Sequence, residues 1–339
     1  MNEEQFTRLS CSELRVNDLL VARMPDPVGR ACLVPDGLPR SATVVDVAIV
    51  RSGDELLQRF LCLVVNDASF RQQAQSLLTG TTRQRISRGN LSKIAFKLPP
   101  LPVQRRIVDL MAHLDNQIAN LRTERDAAEE LVQALVRHSL STFLDTQTVS
   151  LDTLVKDGVV ELGRGHVISK IDLTENPGEF PVYSSAKANN GSIGAYGLHM
   201  FDEELITWSV DGGGHLFHRP KHKFSVTNIG GYLRILQPDV VSYKYLSVVL
   251  RDLHSRLVFD WQSKAHPSVI RFAYSTIPLP AIELQNGVER LITPSESLTA
   301  VLALEIDRLM MLRASLTSCL LSCEIQIPDA YDSLLDGVA

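Results

Sequence analysis

Leu98-Pro-Pro-Leu101-Pro-Val-Gln104-Arg-Arg-Ile107 is a proline-rich exit that runs into a glutamine and then, to about Phe143, into a stretch free of glycine and proline. That pattern predicts one long helix leaving a folded domain. The passage recurs. At Leu279-Pro-Ala-Ile282-Glu-Leu-Gln285-Asn-Gly-Val288 the Leu-Pro, the glutamine and the aliphatic residue return at a constant offset, and a second helical run follows to about Ile325. A repeat of about 180 residues is too long for a solenoid unit and predicts two copies of a domain-plus-helix module.

At 339 residues the chain can form two domains with ordinary cores, and its hydrophobic fraction of 45% and charged fraction of 22% are those of a globular protein. Met1-Asn-Glu-Glu-Gln lacks a basic n-region and an apolar h-region. The longest apolar run, Phe60-Leu-Cys-Leu-Val-Val65, is far too short to span a bilayer, so a cytoplasmic protein with no membrane partner is expected. Five cysteines, an odd number without Cys-x-x-Cys spacing, support neither a disulfide framework nor a zinc site.

The net charge of −5 argues on its face against nucleic acid. The distribution argues the other way. Between Asp67 and Asp109 there is no acidic residue, while Arg71, Arg83, Arg85, Arg88, Lys93, Lys97, Arg105 and Arg106 are basic. Acids crowd the helical run at Glu124, Asp126, Glu129 and Glu130, and the C-terminal tail. A local basic surface matters more to a polyanion than the total does, although such a run also fits a merely solvated face.

Along the chain, Asp18–Arg23 and Thr43–Val50 are β-branched-rich runs that predict strands. Residues 55 to about 78 predict one helix or two short ones, with Leu56, Leu57, Phe60, Leu61, Val64 and Val65 inward. Gly80–Gly89 reads as a polar, basic loop, and Asn90–Leu98 as a turn of helix and a strand. In the second copy, residues 151–158 predict a helix turn and 159–165 a strand. Strand ends flank a small-residue loop between Glu179 and Tyr196. Glu204–Trp208, Lys223–Asn228 and Tyr232–Leu236 predict further strands, Tyr243–Val258 a helix, and Asp260–Phe272 a loop in the place that the basic loop holds in the first copy.

In the first long run Ile107, Met111, Leu114, Ile118, Leu121, Ala128, Val132 and Leu135 recur at steps of four and three, broken at Arg125. This is a coiled-coil pattern, and forty residues of helix reach about 60 Å. The second run offers the partner seam, with Val288, Leu291, Leu298, Leu302, Leu309, Leu312, Leu316 and Cys319. Pro294 near its start predicts a kink or a late onset.

Catalytic and metal chemistries find little support. His215, His218 and His222 have spacing that could suit a metal, but Pro220 breaks the helix that would align them and no cysteine or paired carboxylate completes a shell. A polar turn with Arg219, Lys221 and Lys223 fits the stretch better. Gly212-Gly-Gly214 lacks the Gly-Lys-Ser/Thr ending of a phosphate loop, and no Gly-x-Ser-x-Gly elbow, methyl-transfer Asn-Pro-Pro-Tyr motif or nuclease signature occurs. Neither a metal nor a cofactor is expected.

Two domains that each end in a Leu-Pro-Pro-Leu-like exit, a glutamine leading into a long helix, and Phe180-Pro-Val-Tyr183 before a glycine-rich strand pair together resemble the specificity subunit of type I restriction-modification systems. The resemblance covers nearly the whole chain. It implies an α+β fold of two mixed α/β target-recognition domains joined by a pair of long antiparallel coiled-coil helices. On that plan residues 1–100 are a first recognition domain, 101–145 a spacer helix, 146–282 the second recognition domain, 283–326 the second spacer helix and 327–339 a tail. The function implied is noncatalytic. Each recognition domain reads half of a split target in double-stranded DNA, and the helices act as a ruler that fixes the gap. Methyltransferase subunits dock on the helices as the adenine methyltransferase, and a restriction subunit joins them as the ATP-dependent endonuclease.

The first domain departs from this pattern, because it has no counterpart of 149–200 and begins near the equivalent of Phe201–Ile206. A second specificity chain or fragment is therefore a further candidate partner. Arginine and lysine supply salt-dependent phosphate affinity, while amides, hydroxyls and arginine make the paired hydrogen bonds that distinguish base edges. The residues expected to face DNA are Arg83, Gln84, Arg85 and Arg88 in the first domain. In the second they are Ser184, Ser185, Lys187, Asn189, Asn190, Lys264 and His266. Ile107, Met111, Leu114, Ile118, Leu121, Leu302, Leu309 and Leu316 are expected to pair the helices and dock partners. Two other classes stay open: the recognition half of a methyltransferase-nuclease, and a coiled-coil scaffold that leaves DNA unread.

Overall fold

The computed structural model describes residues 6, 12–25, 27–43, 45–143, 148–185, 188–211, 213–257 and 264–332. The fold is α+β, and the chain divides into two compact units, one made of 1–123 and 302–339, the other of 124–301. No helix among the described residues is long and apolar enough to cross a membrane.

In the first unit β1 (Leu19–Ala22), β2 (Ala31–Leu33) and β3 (Val47–Val50) form an antiparallel sheet in the order β2-β1-β3. Residues 58–76 then make two helices, α1 (Gln58–Asn66) and α2 (Ala68–Ser76). The break falls at Asp67, whose carboxylate accepts the Ser69 N–H at 2.9 Å and caps α2. Phe60, Leu61, Val64 and Val65 of α1 bury the core with Leu19 and Val21 of β1. One helical turn, α3 (Arg88–Leu91), ends the basic loop at its cap Ser87, two residues sooner than expected. The strand expected before Leu98 is absent: Ile94–Leu98 has no ladder partner among the described residues. The chain then enters α4 (Leu101–Phe143).

The second unit opens with β4 (Thr148–Val149), α5 (Leu151–Lys156) and β5 (Val160–Arg164). It continues with α6 (Lys170–Glu175), β6 (Phe180–Tyr183), β7 (Ser192–Tyr196), β8 (Phe201–Ser209), β9 (Leu216–Val226) and β10 (Gly230–Ile235). The main sheet runs β5-β10-β8-β9-β6-β7, antiparallel except for the parallel pair β6–β9. Helix α7 (Tyr243–Arg256) turns Tyr245, Leu246, Val249 and Leu250 into the core against Trp208, whose indole donates to the Ala265 carbonyl at 2.7 Å. Close packing needs Gly231, where a Cβ would lie 2.2 Å from the Trp208 ring.

The stretch expected as a loop to Phe272 instead contains α8 (Pro267–Ala273), with proline at the first turn, where its missing N–H leaves no hydrogen bond unmade. A short β11 (Ile277–Pro278) pairs with β4, and α9 (Ile282–Leu321) follows. The second long helix thus ends sooner than Ile325 and starts before Pro294, which lies inside it.

In the first unit the α4 and α9 segments run antiparallel. Arg313 chelates Asp115 at 2.5 and 2.8 Å, and the Thr317 hydroxyl donates to Met111 Sδ at 2.9 Å. Ile118, Leu121, Leu302 and Ile306 form one cluster with Leu309 packed on it. Ile107 and Met111 are buried in the domain core, with Leu114 and Leu316 half-buried against it. In the second unit Val136 and Leu140 of α4 share a core with Val288 and Ile292 of α9. The seam of α9 differs from the expected one, since Leu291, Leu298 and Leu312 are half exposed while Ile292, Ile306, Thr317 and Leu320 turn inward. This helix has apolar residues on two faces, so spacing alone fits either.

The repeated glutamine has one role in both units. Gln104 is fully buried; its Oε1 accepts the Leu57 N–H at 2.8 Å and its Nε2 donates to the Glu55 and Pro99 carbonyls at 2.9 and 2.8 Å. Gln285, also fully buried, accepts the Ser242 N–H at 3.1 Å and donates to the Val240 and Pro280 carbonyls at 2.9 and 2.8 Å. Each clasps the loop before a domain helix to the proline exit that launches a long helix.

Candidate nucleic-acid interface

A second backbone contact also repeats. The Ile86 N–H donates to the Arg23 carbonyl at 2.8 Å in the first unit, and the Ala265 N–H donates to the Val210 carbonyl at 2.7 Å in the second. Arg85 and Lys264, each one residue earlier, therefore hold equivalent positions. Both are exposed, and each is loosely paired with one acid, Arg85 with Asp46 at 3.6 Å and Lys264 with Asp211 at 3.7 Å. Exposed pairs at such distances contribute little stability, so both cations are available to another anion.

In the first unit Arg83, Gln84 and Arg85 lie on one exposed loop. It is closed by reciprocal hydrogen bonds of 3.0 Å between the Thr79 and Arg85 backbones. Gly80, at φ +104°, makes the return possible, because a Cβ there would sit 2.7 Å from the Arg83 carbonyl oxygen. Arg88 is exposed at the start of α3. Not every basic residue of this run is available. Arg106 is buried, and its guanidinium is held by Asp329 at 2.5 Å and by Asp332 at 2.6 and 2.7 Å.

In the second unit Ser184, Ser185, Asn189 and Asn190 share the connection between β6 and β7, while Lys264 and His266 stand on the separate segment that enters α8. Lys187 lies outside the described residues. Ser184 turns inward: it is buried, its hydroxyl bonds that of Thr227 at 2.8 Å, and its N–H donates to the Gly191 carbonyl at 2.9 Å. Asn189 and Asn190 are exposed, and both adopt left-handed backbone, at φ 50° and 53°. Asparagine tolerates that region best among residues with a Cβ, and two in succession turn the chain sharply.

Beneath this turn is a residue the sequence did not single out for the site. Arg219 of β9 is 1% exposed; its Nη2 donates to the Asn190 carbonyl at 2.8 Å and its Nε to Thr207 Oγ1 at 3.0 Å. The guanidinium lies 3.6 Å from the Tyr183 ring centroid and 4.7 Å from that of Phe217. Burial pushes its pKa down to about 10, which leaves it charged at neutral pH. Nothing in an Arg between two histidines signals such a place.

The histidine run is a strand, not the polar turn expected. Pro220 fits because the β8–β9 register shifts between Glu203 and Leu205, and a bulge asks no ladder hydrogen bond of the proline. His218 pairs with Glu204 at 2.6 Å, and His222 contacts the Tyr183 hydroxyl at 3.1 Å.

A different surface lies on α9. Within the second unit Leu284, Leu291 and Leu298 recur every seven residues and are half exposed, on a helix whose other apolar side is already buried. Each unit also has a groove between its domain helix and the long helices. One, of about 840 Å³, is lined by Arg59, Met111 and Arg313, and the other, of about 270 Å³, by Val136, Val248 and Glu296.

Residues 42–130 match a family described as the type I restriction modification DNA specificity domain. A protein of Mycoplasma pneumoniae named as a type I specificity subunit is 27% identical over 211 residues, covering 62% of this chain and 84% of that protein. A second from the same organism, named as the N-terminus of such a subunit, is 42% identical over 99 residues, covering 29% and 51%. Among solved structures, a type I restriction-modification S subunit from M. genitalium superposes with a TM-score of 0.59 at 15% identity, covering 90% of this chain and 83% of that one. The fold is α+β, with a buried glutamine at the start of a long helix in each unit. Residues 42–130 are thus similar to the specificity domain of type I restriction-modification systems, and the chain is similar over 62% of its length to a type I specificity subunit.

Proposed function

We propose that this chain is the noncatalytic, sequence-reading subunit of a cytoplasmic type I complex, and that it reads a bipartite target in double-stranded DNA. Residues 1–100 and 146–282 serve as the two reading domains, 101–145 and 283–326 as the helices between them. One observation carries the reading: Arg85 and Lys264 hold the same place in the two copies, exposed and only loosely paired. A cation repeated beside each copy's candidate loop is what a phosphate backbone approached twice would select. Base discrimination then falls to Arg83, Gln84 and Arg88 in one half, and to Ser185, Lys187, Asn189, Asn190 and His266 in the other. Ser184 contributes by holding its turn.

The heptad-spaced Leu284, Leu291 and Leu298 and the paired grooves support docking of methyltransferase subunits, one per module, with a restriction subunit added to them. Gel shifts with a random-sequence duplex at two salt concentrations test the DNA half. Binding that weakens as salt rises is expected, and salt-independent binding or none leaves only a coiled-coil scaffold. Methylome sequencing of a host carrying the chain with its methyltransferase tests the rest, the expected result being one split methylated motif that disappears when the chain is deleted.

A further inference from the structure

We infer that Arg219 is the buried positioning residue of the second unit's reading turn: from below, it fixes the bend at Asn189-Asn190 and so decides which bases the two amides meet. The inference rests on the DNA reading proposed above and adds to it a residue that touches no DNA.

Taking a guanidinium out of water is costly unless an acid neutralises it, and no carboxylate lies within ion-pair distance of Arg219 among the described residues. Its Nη1 is buried without a hydrogen-bond partner among the described residues. For stability alone an apolar residue would suit this place better. What the arginine supplies is geometry. A planar fork stacked on Tyr183, with Nε on Thr207 and Nη2 on the Asn190 carbonyl, ties the strand floor to the turn above it. Two consecutive left-handed asparagines are unfavourable by about 1 kcal/mol each and hold only where their surroundings overdetermine them. The other ties, Ser184 to Gly191 and to Thr227, grip the ends of the connection. Among the described residues, Arg219 is the one whose side chain grips a carbonyl in the middle of the bend. Lysine keeps the charge but loses both the fork and the stacking; methionine keeps the volume and the contact with Tyr183 while removing the charge.

The experiment compares the full-length chain with R219M and R219K, by residue-resolved amide exchange without DNA and by selection from a randomised duplex pool. Exchange of the Ser184 and Gly191 amides is expected to rise by at least about tenfold in both variants, with β8 and α7 unchanged. The melting temperature of R219M should stay level or rise, which a merely structural cation would not allow. In the selection, base preference flattens in one half of the enriched site and persists in the other, while affinity for unselected duplex changes by less than about threefold. Unchanged exchange at Ser184 overturns the inference, and so does a general acceleration through the unit with a lowered melting temperature. If wild-type chain enriches no site, the DNA reading falls, and the exchange result still decides whether Arg219 holds the turn.

Discussion

Around Gln104 the clasped loop belongs to a three-stranded sheet and a closed basic turn; around Gln285 the same clasp serves a six-stranded mixed sheet with an added asparagine turn. Donors, acceptors and even the five-residue step back to the proline carbonyl match, Pro99 to Gln104 and Pro280 to Gln285, while strand number and surface chemistry do not. The comparison separates two kinds of specification. A few buried amide hydrogen bonds fix how a domain launches its helix, and because each is fully satisfied it tolerates no partial substitute. The sheet edges and turns carry no such constraint and can differ between copies built on one frame.

The comparison is broken most directly at the clasp. Gln104→Leu and Gln285→Leu each strand one buried N–H and two carbonyls, at about 1 to 3 kcal/mol per unsatisfied group, so a loss of about 3 to 5 kcal/mol is expected after relaxation. Residue-resolved exchange in urea should show Q104L opening the first unit and Q285L the second. If either variant loosened both units equally, the clasp would not be local. A smaller effect distinguishes the copies. Gly231→Ala forces a methyl against Trp208, which is expected to cost about 1 to 3 kcal/mol in the second unit and nothing in the first, with a changed indole fluorescence as its marker.

Acid sharpens the contrast from the other side. In the first unit the Arg51 guanidinium, bonding both oxygens of Asp18 at 2.6 and 2.7 Å, holds that carboxyl below its ordinary range against the opposing effect of burial. A carboxyl depressed in the folded state adds stability above its unfolded value and loses it as pH falls through the folded value. Asp18→Asn is therefore expected to cost about 1 kcal/mol at neutral pH, after allowance for the half-exposed Arg51, and the two unfolding curves should converge below about pH 4. Curves that stayed parallel into acid would remove Asp18 from the first unit's pH response. The second unit's Asp152, held low by Lys156 and then by Arg271, should leave its own acid limb in place in that variant.

The frame was legible and the surface was not, for one physical reason. Gln104 and Gln285 recur because a buried amide with three hydrogen bonds admits no alternative, so the repeat shows in the letters. The first long helix showed in its existence and in its seam from Ile107 to Leu121, but Val136 and Leu140, which are buried in the second unit, were not in the expected seam. On α9, Leu291 and Ile292 are adjacent and both apolar, and which one turns inward is decided by Val136 and Leu140 on the other helix, not by local spacing. Pro220 suggested a turn because its bulge depends on the register of β8, and Ala31–Leu33 is too short to alternate visibly. Ser184 and Arg219 illustrate the same limit at the site: a serine and an arginine in polar stretches read as solvated until the sheet beneath them is known.

The smallest effects test the equivalence of the two exposed edges that carry Arg85 and Lys264. Arg85 and Lys264 are each exposed and each near one acid, so neither substitution should alter folding. If each neutralises one phosphate, its replacement by alanine lowers the slope of log affinity against log salt by about 0.9, and the double variant lowers it by about twice that, since residues in separate units act additively. Titrations of a random-sequence duplex at several salt concentrations would read both slopes. Equal single effects that add make the two loops copies of one phosphate-binding position. A slope that falls for Lys264→Ala but not for Arg85→Ala would confine DNA contact to the second unit. The first unit's smaller sheet would then be a frame that has kept its glutamine clasp without a reading surface.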